Sequence, residues 1–261
     1  MAYLPWQDIV RRLIPPSFKR FIIGLMTSDL VGALLKKYGW ITSRRGGGKF
    51  FVGHERISGQ EAASIFWGFR ERAEVDFVTR LLPIDSTTAV VELGGSIGVV
   101  AGAVAKRRPK QMVVVEADPK LLDLCEINLG KNAYPETRIE YSNSVVTYQD
   151  SAAVEFIRGS TTTSGKIKQH DGSEAGLMIQ PMTLSTILAR YSIDEYVLIS
   201  DIEGAEADIW FKDEGALENC HAIVVELEDT ERYSTESQVK QLQDLGFMQC
   251  YRYGRVYFFD R

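Results

Sequence analysis

From residue 89 onward, short apolar runs alternate with longer stretches whose apolar groups recur every three or four positions. AVVEL (89–93), QMVVVEA (111–117), YVLISD (196–201) and HAIVVELE (221–228) fit the roughly 4–8 residues of a buried strand. Residues 99–106, 120–129, 182–191, 205–213 and 236–244 carry helical spacing, and 138–141 is a further short strand. Asp118-Pro119 supplies an N-cap and first-turn residue for the second of these helices. Strand–helix alternation predicts a parallel sheet with helices on both faces. FMQCYRY (247–253) and RVYFFD (255–260) have no helix between them, so they predict an antiparallel hairpin across Gly254.

Upstream, residues 59–82 place Ile65, Phe69, Ala73, Phe77 and Leu81 at helical spacing, and Pro83 ends the run. One amphipathic helix is predicted there. Residues 147–176 are polar and loop-like, above all GSTTTSGKIKQHDGSEAG (159–176). The first block has Pro15-Pro16, an apolar helical stretch and the basic run RRGGGK (44–49). A phosphate-binding loop needs Ser or Thr after the lysine, and Phe50 stands there, so a hairpin turn is the expectation. The predicted division is an N-terminal extension over 1–58 and one domain over 59–261.

A chain of 261 residues with 45% hydrophobic positions can bury a core without staples. Its net charge of −5 disfavours a nucleic-acid partner, whose binders carry a dominant basic balance. Cys125, Cys220 and Cys250 are odd in number and form no CxxC pair, which predicts free thiols and a reducing, cytoplasmic setting. His54, His170 and His221 are too scattered for a zinc site. FIIGLMTSDLVGALL (21–35) is too short, and too polar at Asp29, to span a bilayer, and it lacks the marks of a signal peptide. Lys19, Arg20, Lys36 and Lys37 flank it. Such a stretch (residues 19–37) suits peripheral contact with a membrane surface, although packing on its own domain is the commoner outcome. The pattern sets no oligomeric state.

The first strand–turn–helix unit reads VVELGGSIGVVAGAV (90–104). A dinucleotide fingerprint fails, because Ser96 and Val99 stand where its second and third glycines belong. The glycines alone could serve only a tight turn. Glu116 adds weight. It lies about 20 residues beyond Gly94 at the tip of the next strand, where a carboxylate can take both hydroxyls of a ribose. A ribose without a pyrophosphate fits S-adenosylmethionine.

ELGGSIG, VVVEADPKLLDLCEINLGKN, VLISDIEGAEADIW and AIVVELE together resemble the FkbM family of S-adenosylmethionine-dependent methyltransferases, over roughly residues 88–250. The resemblance implies the Rossmann-like class I methyltransferase fold, α/β, with a seven-stranded mostly parallel sheet and an antiparallel C-terminal hairpin. A helical N-terminal extension precedes it here. It also implies O-methylation of a sugar, glycan or natural-product acceptor. It assigns cofactor contacts to Glu92, Gly94, Gly95, Ser96 and Gly98 at the turn, Glu116 and Ala117 at the next strand, and Asn143 and Ser144 after the third. The chain departs from the family at Glu92 (usually Asp), Gly95-Ser96 (usually Ala-Asn) and Ser200 (usually Lys).

The acids of VLISDIEGAEADIW divide by position. Glu206 and Asp208 fall in the first turn of a helix, where its dipole favours them. Asp201 and Glu203 follow a strand end, where open parallel sheets bind ligands. Asp201 is expected to take or orient the acceptor's proton, with Glu203 positioning substrate or cofactor. His170 is an alternative base. Mg²⁺ gripped by Asp201 and Glu226 is the weaker expectation, since no third ligand stands out in the sequence. Competing readings are N-methylation of a small molecule and a non-catalytic scaffold acting at a membrane or on a partner. A dehydrogenase is disfavoured by the broken fingerprint.

Overall fold

The computed structural model describes residues 15–261 apart from 150, 160, 163–164, 168–175 and 203, and omits the side chains of residues 16, 19 and 166. His170 and Glu203 therefore lie outside the described residues. A seven-stranded sheet forms the centre. It contains β3 (Ala89–Leu93), β4 (Gln111–Glu116), β5 (Arg138–Asn143), β11 (Tyr196–Ser200), β12 (Cys220–Glu226), β13 (Met248–Tyr253) and β14 (Val256–Asp260), in the order β13-β14-β12-β11-β3-β4-β5. β5, β4, β3, β11 and β12 run parallel, and β14 and β13 pair antiparallel at the edge. The residues of β3 and β11 are buried throughout, as expected of central strands covered on both faces.

Alternate side chains feed two cores. Val90, Met112, Val197 and Val224 face one layer, with α3 (Gly59–Trp67), α4 (Arg72–Arg80), α5 (Val99–Ala105) and α6 (Pro119–Leu129). Val91, Val113, Leu198 and Ile223 face the other, with α7 (Leu184–Tyr191), α8 (Glu206–Lys212) and α9 (Thr235–Asp244).

Residues 59–82 form two helices, not one. Gly68 adopts the left-handed conformation (φ 71°) and ends α3, and Glu71 (φ 48°) reverses the chain into α4. Both helices bury an apolar face in one core, so the spacing carries on across the break. At the start of α3, Ser58 accepts from Glu61 N–H while Glu61 accepts from Ser58 N–H, which closes a capping box. The 147–176 segment is also more ordered than its composition suggests. β7 (Val154–Ile157) pairs antiparallel with β8 (Lys166–Ile167) and with β9 (Leu177–Ile179). A parallel pair, β6 (Val145–Val146) with β10 (Pro181–Met182), closes its base. These strands are too short for a periodicity to register.

In the N-terminal block, α1 (Pro16–Met26) and α2 (Asp29–Tyr38) precede a hairpin of β1 (Trp40–Thr42) and β2 (Lys49–Phe51) around the basic glycine run, as expected. Phe50, Val52 and Ile57 are buried in the α4–α6 core. Asn132 bonds both backbone groups of Lys49, and Asn128 accepts from Phe51 N–H. The hairpin thus belongs to the main body, although it lies before residue 59. No described helix is long and apolar enough to cross a membrane.

Candidate active site

The carboxyl ends of β3, β4 and β11 open into one cleft. Gly94, Ser96, Glu116, Ala117, Ser144 and Asp201 all line it. The turn after β3 is drawn onto β4, with Gly94 and Gly95 N–H both donating to the Val115 carbonyl at 2.9 and 3.0 Å. Gly94 takes φ 85°, and a Cβ there would overlap the Asp201 carbonyl. Gly98 (φ 81°) starts α5 with Cys125 Sγ 2.8 Å from where its Cβ would stand. These glycines let the turn sit flush between two strands. Ser96 is left-handed without being glycine (φ 47°). It is held there by its N–H on Glu116 Oε2 (2.8 Å) and its Oγ on the Thr162 carbonyl (2.8 Å).

Glu116 is the joint between turn and strand. Its second oxygen accepts from Asp118 N–H at 2.8 Å. Burial pushes its pKa up to about 7, and these N–H donors limit the rise. Asn143 donates to the carbonyls of Glu116 and Ala117 (3.0 and 2.9 Å), so it braces the cleft instead of lining it. Gly95 and Gly98 likewise shape the turn from outside the lining.

Glu92 is placed differently from its expected cofactor contact. Strand alternation turns it toward the α4–α5 layer, and it is not among the cleft-lining residues. It is 3% exposed, and Oε2 has no hydrogen-bond partner among the described residues. Burial and then the Glu71 charge hold its carboxyl well above the usual range. Ser200 points to the opposite face from Asp201, so a cation at 200 would not stand beside the acids.

Asp201 follows β11, next to the end of β12, as expected from neighbouring strands. Its carboxylate meets those of Glu226 and Glu74, with one oxygen from each lying within 4.8 Å of the others. Glu74, in the first turn of α4, is the third acid that sequence spacing did not reveal. Burial, then Glu226 and Glu206, push the Asp201 pKa up to about 9. Burial, then Glu71 and Glu226, raise Glu74 to about 7. Arg255 pairs with Glu226 at 2.6 Å. Glu206 does more than complement the helix dipole: its carboxylate accepts from the N–H groups of Ile202 (2.5 Å) and Gly204 (2.8 Å), closing the turn after β11. Asp208 pairs along the helix with Lys212 at 2.8 Å.

The far wall comes from residues that no sequence signal assigns to the cleft, and the sequence marks Asp118 only as a helix cap. Asp118 is 1% exposed and meets Arg56 (3.1 Å) and Arg158 (3.0 Å) while capping α6 through Lys120 N–H. Thr162 donates its N–H and Oγ1 to Glu61 (3.0 and 2.9 Å), and Arg70 reaches the same two residues. Arg158 and Thr162 thereby tie the β7–β8 side of the cleft to the sheet and to α3.

A sequence profile of the methyltransferase FkbM domain matches residues 92–253. The chain belongs to the FkbM methyltransferase family. No curated protein matches it. Among solved structures it is similar to M. jannaschii TYW2 in complex with AdoMet, at 12% identity and a TM-score of 0.43, covering 85% of this chain and 87% of that one. It is similar also to a putative RNA methyltransferase, PH1948 from Pyrococcus horikoshii, at 13% identity and a TM-score of 0.42, covering 88% and 94%. Likeness at that level carries no argument about substrate.

The family's cofactor is S-adenosylmethionine, and the cleft of this FkbM domain fits it. Gly94 and Ser96 bring the turn to the cleft, and Glu116 ends β4 there. Each Glu116 oxygen accepts one backbone N–H and keeps lone-pair capacity for a hydroxyl.

Proposed function

We propose that this FkbM-family chain is an O-methyltransferase that methylates a hydroxyl of a small-molecule or glycan acceptor. The observation that carries the reading is Asp201, a strand-end residue that lines the same cleft as Glu116 and Ser96 and whose carboxyl lies among other acids. Bound S-adenosylmethionine supplies the electrophilic methyl group. Glu116 is assigned to the ribose hydroxyls, and the Gly94–Ser96 turn to the cofactor's amino-acid end. Ser144 and Ala117 line the adenosine side. Asp201 holds the acceptor hydroxyl, orients its oxygen for the displacement and, in its ionised form, takes the hydroxyl proton as the methyl group is transferred. Glu203, two residues on, is assigned to positioning.

A second reading is favoured by one observation, the convergence of Glu74 on Asp201 and Glu226. Three carboxylates at that spacing match the oxygen ligands that Mg²⁺ or Ca²⁺ prefers. A cation there would keep Asp201 ionised and able to accept the hydroxyl proton.

The test is methyl transfer from labelled S-adenosylmethionine to a panel of alcohols, sugars and amines. Hydroxyl acceptors should be methylated, and Asp201→Asn should cut turnover about 10²–10⁴-fold while S-adenosylhomocysteine affinity holds. Transfer confined to amines would replace O- with N-methylation. Unchanged turnover in Asp201→Asn would remove its role. Loss of activity on chelation, restored by Mg²⁺ in wild type but not in Glu74→Gln, would establish the second reading.

A further inference from the structure

Helix α2 has its rotation fixed by packing. Its backbone at Gly32 runs so close to α3 that a Cβ there would overlap the Gly59 carbonyl, and Leu35 packs against the core. That turns Leu30, Leu34 and Tyr38, four residues apart in sequence, to the opposite side, where they are 74%, 58% and 80% exposed. α1 also exposes apolar groups, among them Phe18, Phe21 and Leu25, with Phe21 at 66%. The end of α1 is anchored by Trp67 Nε1, which donates to the Met26 carbonyl at 3.1 Å. Apolar surface on this scale marks a contact with something other than water.

Charge identifies the contact. Residues 15–38 hold four basic residues, Lys19, Arg20, Lys36 and Lys37, against one acid, on a chain whose net charge is −5. The one acid, Asp29, is exposed at the start of α2, close to Gly59, and leaves a local excess of three positive charges. Arg20 and Lys37 are exposed beside the apolar groups. Just past α2, Trp40 is also exposed, so Tyr38 and Trp40 set amphipathic rings at the border of the stripe. Eleven helical residues in α1 reach about 16 Å, roughly half a hydrocarbon core, so the pair can lie in an interface but not cross it.

We propose that α1 and α2 bind in the plane of an anionic lipid bilayer, with the Leu30–Leu34–Tyr38 stripe at the acyl boundary and Arg20 and Lys37 at the headgroups. Lys36 Nζ donates to the Ile57 carbonyl, which ties α2 to the segment that carries Arg56 of the cleft wall.

The experiment is co-sedimentation of the full chain with phosphatidylcholine vesicles with and without phosphatidylglycerol. Binding should be at least about tenfold tighter to the anionic vesicles and should weaken with salt. Leu30→Glu with Leu34→Glu should lower it by a similar factor without moving the thermal melt, since both positions are exposed. No sedimentation with anionic vesicles would overturn the proposal, as would binding that the double substitution leaves intact. A dimer in sedimentation velocity that the substitution dissociates would assign the surface to a second copy of the chain instead.

Discussion

Glu116 is buried, titrates near neutrality and already accepts two backbone N–H groups. Its folded pKa is raised, so the folded chain holds its proton through a window from about 4.3 to 7. Within that window the free protein loses stability as pH rises, because the buried charge is then forced. Ribose hydroxyls donate to the ionised form. Affinity for S-adenosylhomocysteine should therefore rise by up to about tenfold per unit below pH 7 and level off above it. Calorimetry at several pH values should give that curve for wild type and a flat, weak one for Glu116→Gln. At this scale, the sequence makes Glu116 and Asp201 legible because both end apolar runs, and a strand end in this fold faces the ligand. Glu92 also sits in such a run, but its parity in the strand sends it to the helical layer. Glu74, Arg56 and Arg158 come from distant segments, and no spacing connects them to the cleft.

Elements that pack on the sheet were visible as periodicity, and those that pack on the cleft were not. The strands β7, β8 and β9 are two to four residues long, and what orders them is side-chain pairing: Arg158 on Asp118, and Thr162 on Glu61. Glu61 is the centre of that arrangement, serving the α3 cap, Arg70 and Thr162 at once. Burial works against its ionisation, but the N–H donors of Ser58 and Thr162 prevail and hold its pKa low. Glu61→Ala opens the capping box by taking away the acceptor of Ser58 N–H, and it leaves Arg70 and Thr162 short of a partner, a loss of about 2–4 kcal/mol. Urea unfolding should register it, and cofactor affinity should fall as the cleft wall loosens. Gly94→Ala acts on the other wall. Its φ of 85° and the Asp201 carbonyl leave no room for a methyl group, so about 1–3 kcal/mol of stability and most cofactor binding should be lost together.

For the whole molecule, the sheet order and the hairpin edge place five parallel strand ends along one side, and the turn after β3, the tip of β4 and the end of β11 meet there. That convergence is why residues far apart in sequence can serve one cofactor and one acceptor. The α1–α2 pair stands outside this logic, and its exposed apolar face is the surface proposed to meet a bilayer. The central claim is that the cleft holds S-adenosylmethionine through Glu116. Calorimetric titration of S-adenosylhomocysteine into wild type and Glu116→Ala, with NAD as control, tests it most directly. Binding of S-adenosylhomocysteine alone to wild type, lost in a folded Glu116→Ala, is the expected result. A folded wild type that binds no S-adenosylhomocysteine, or a Glu116→Ala that binds it equally well, would contradict the account.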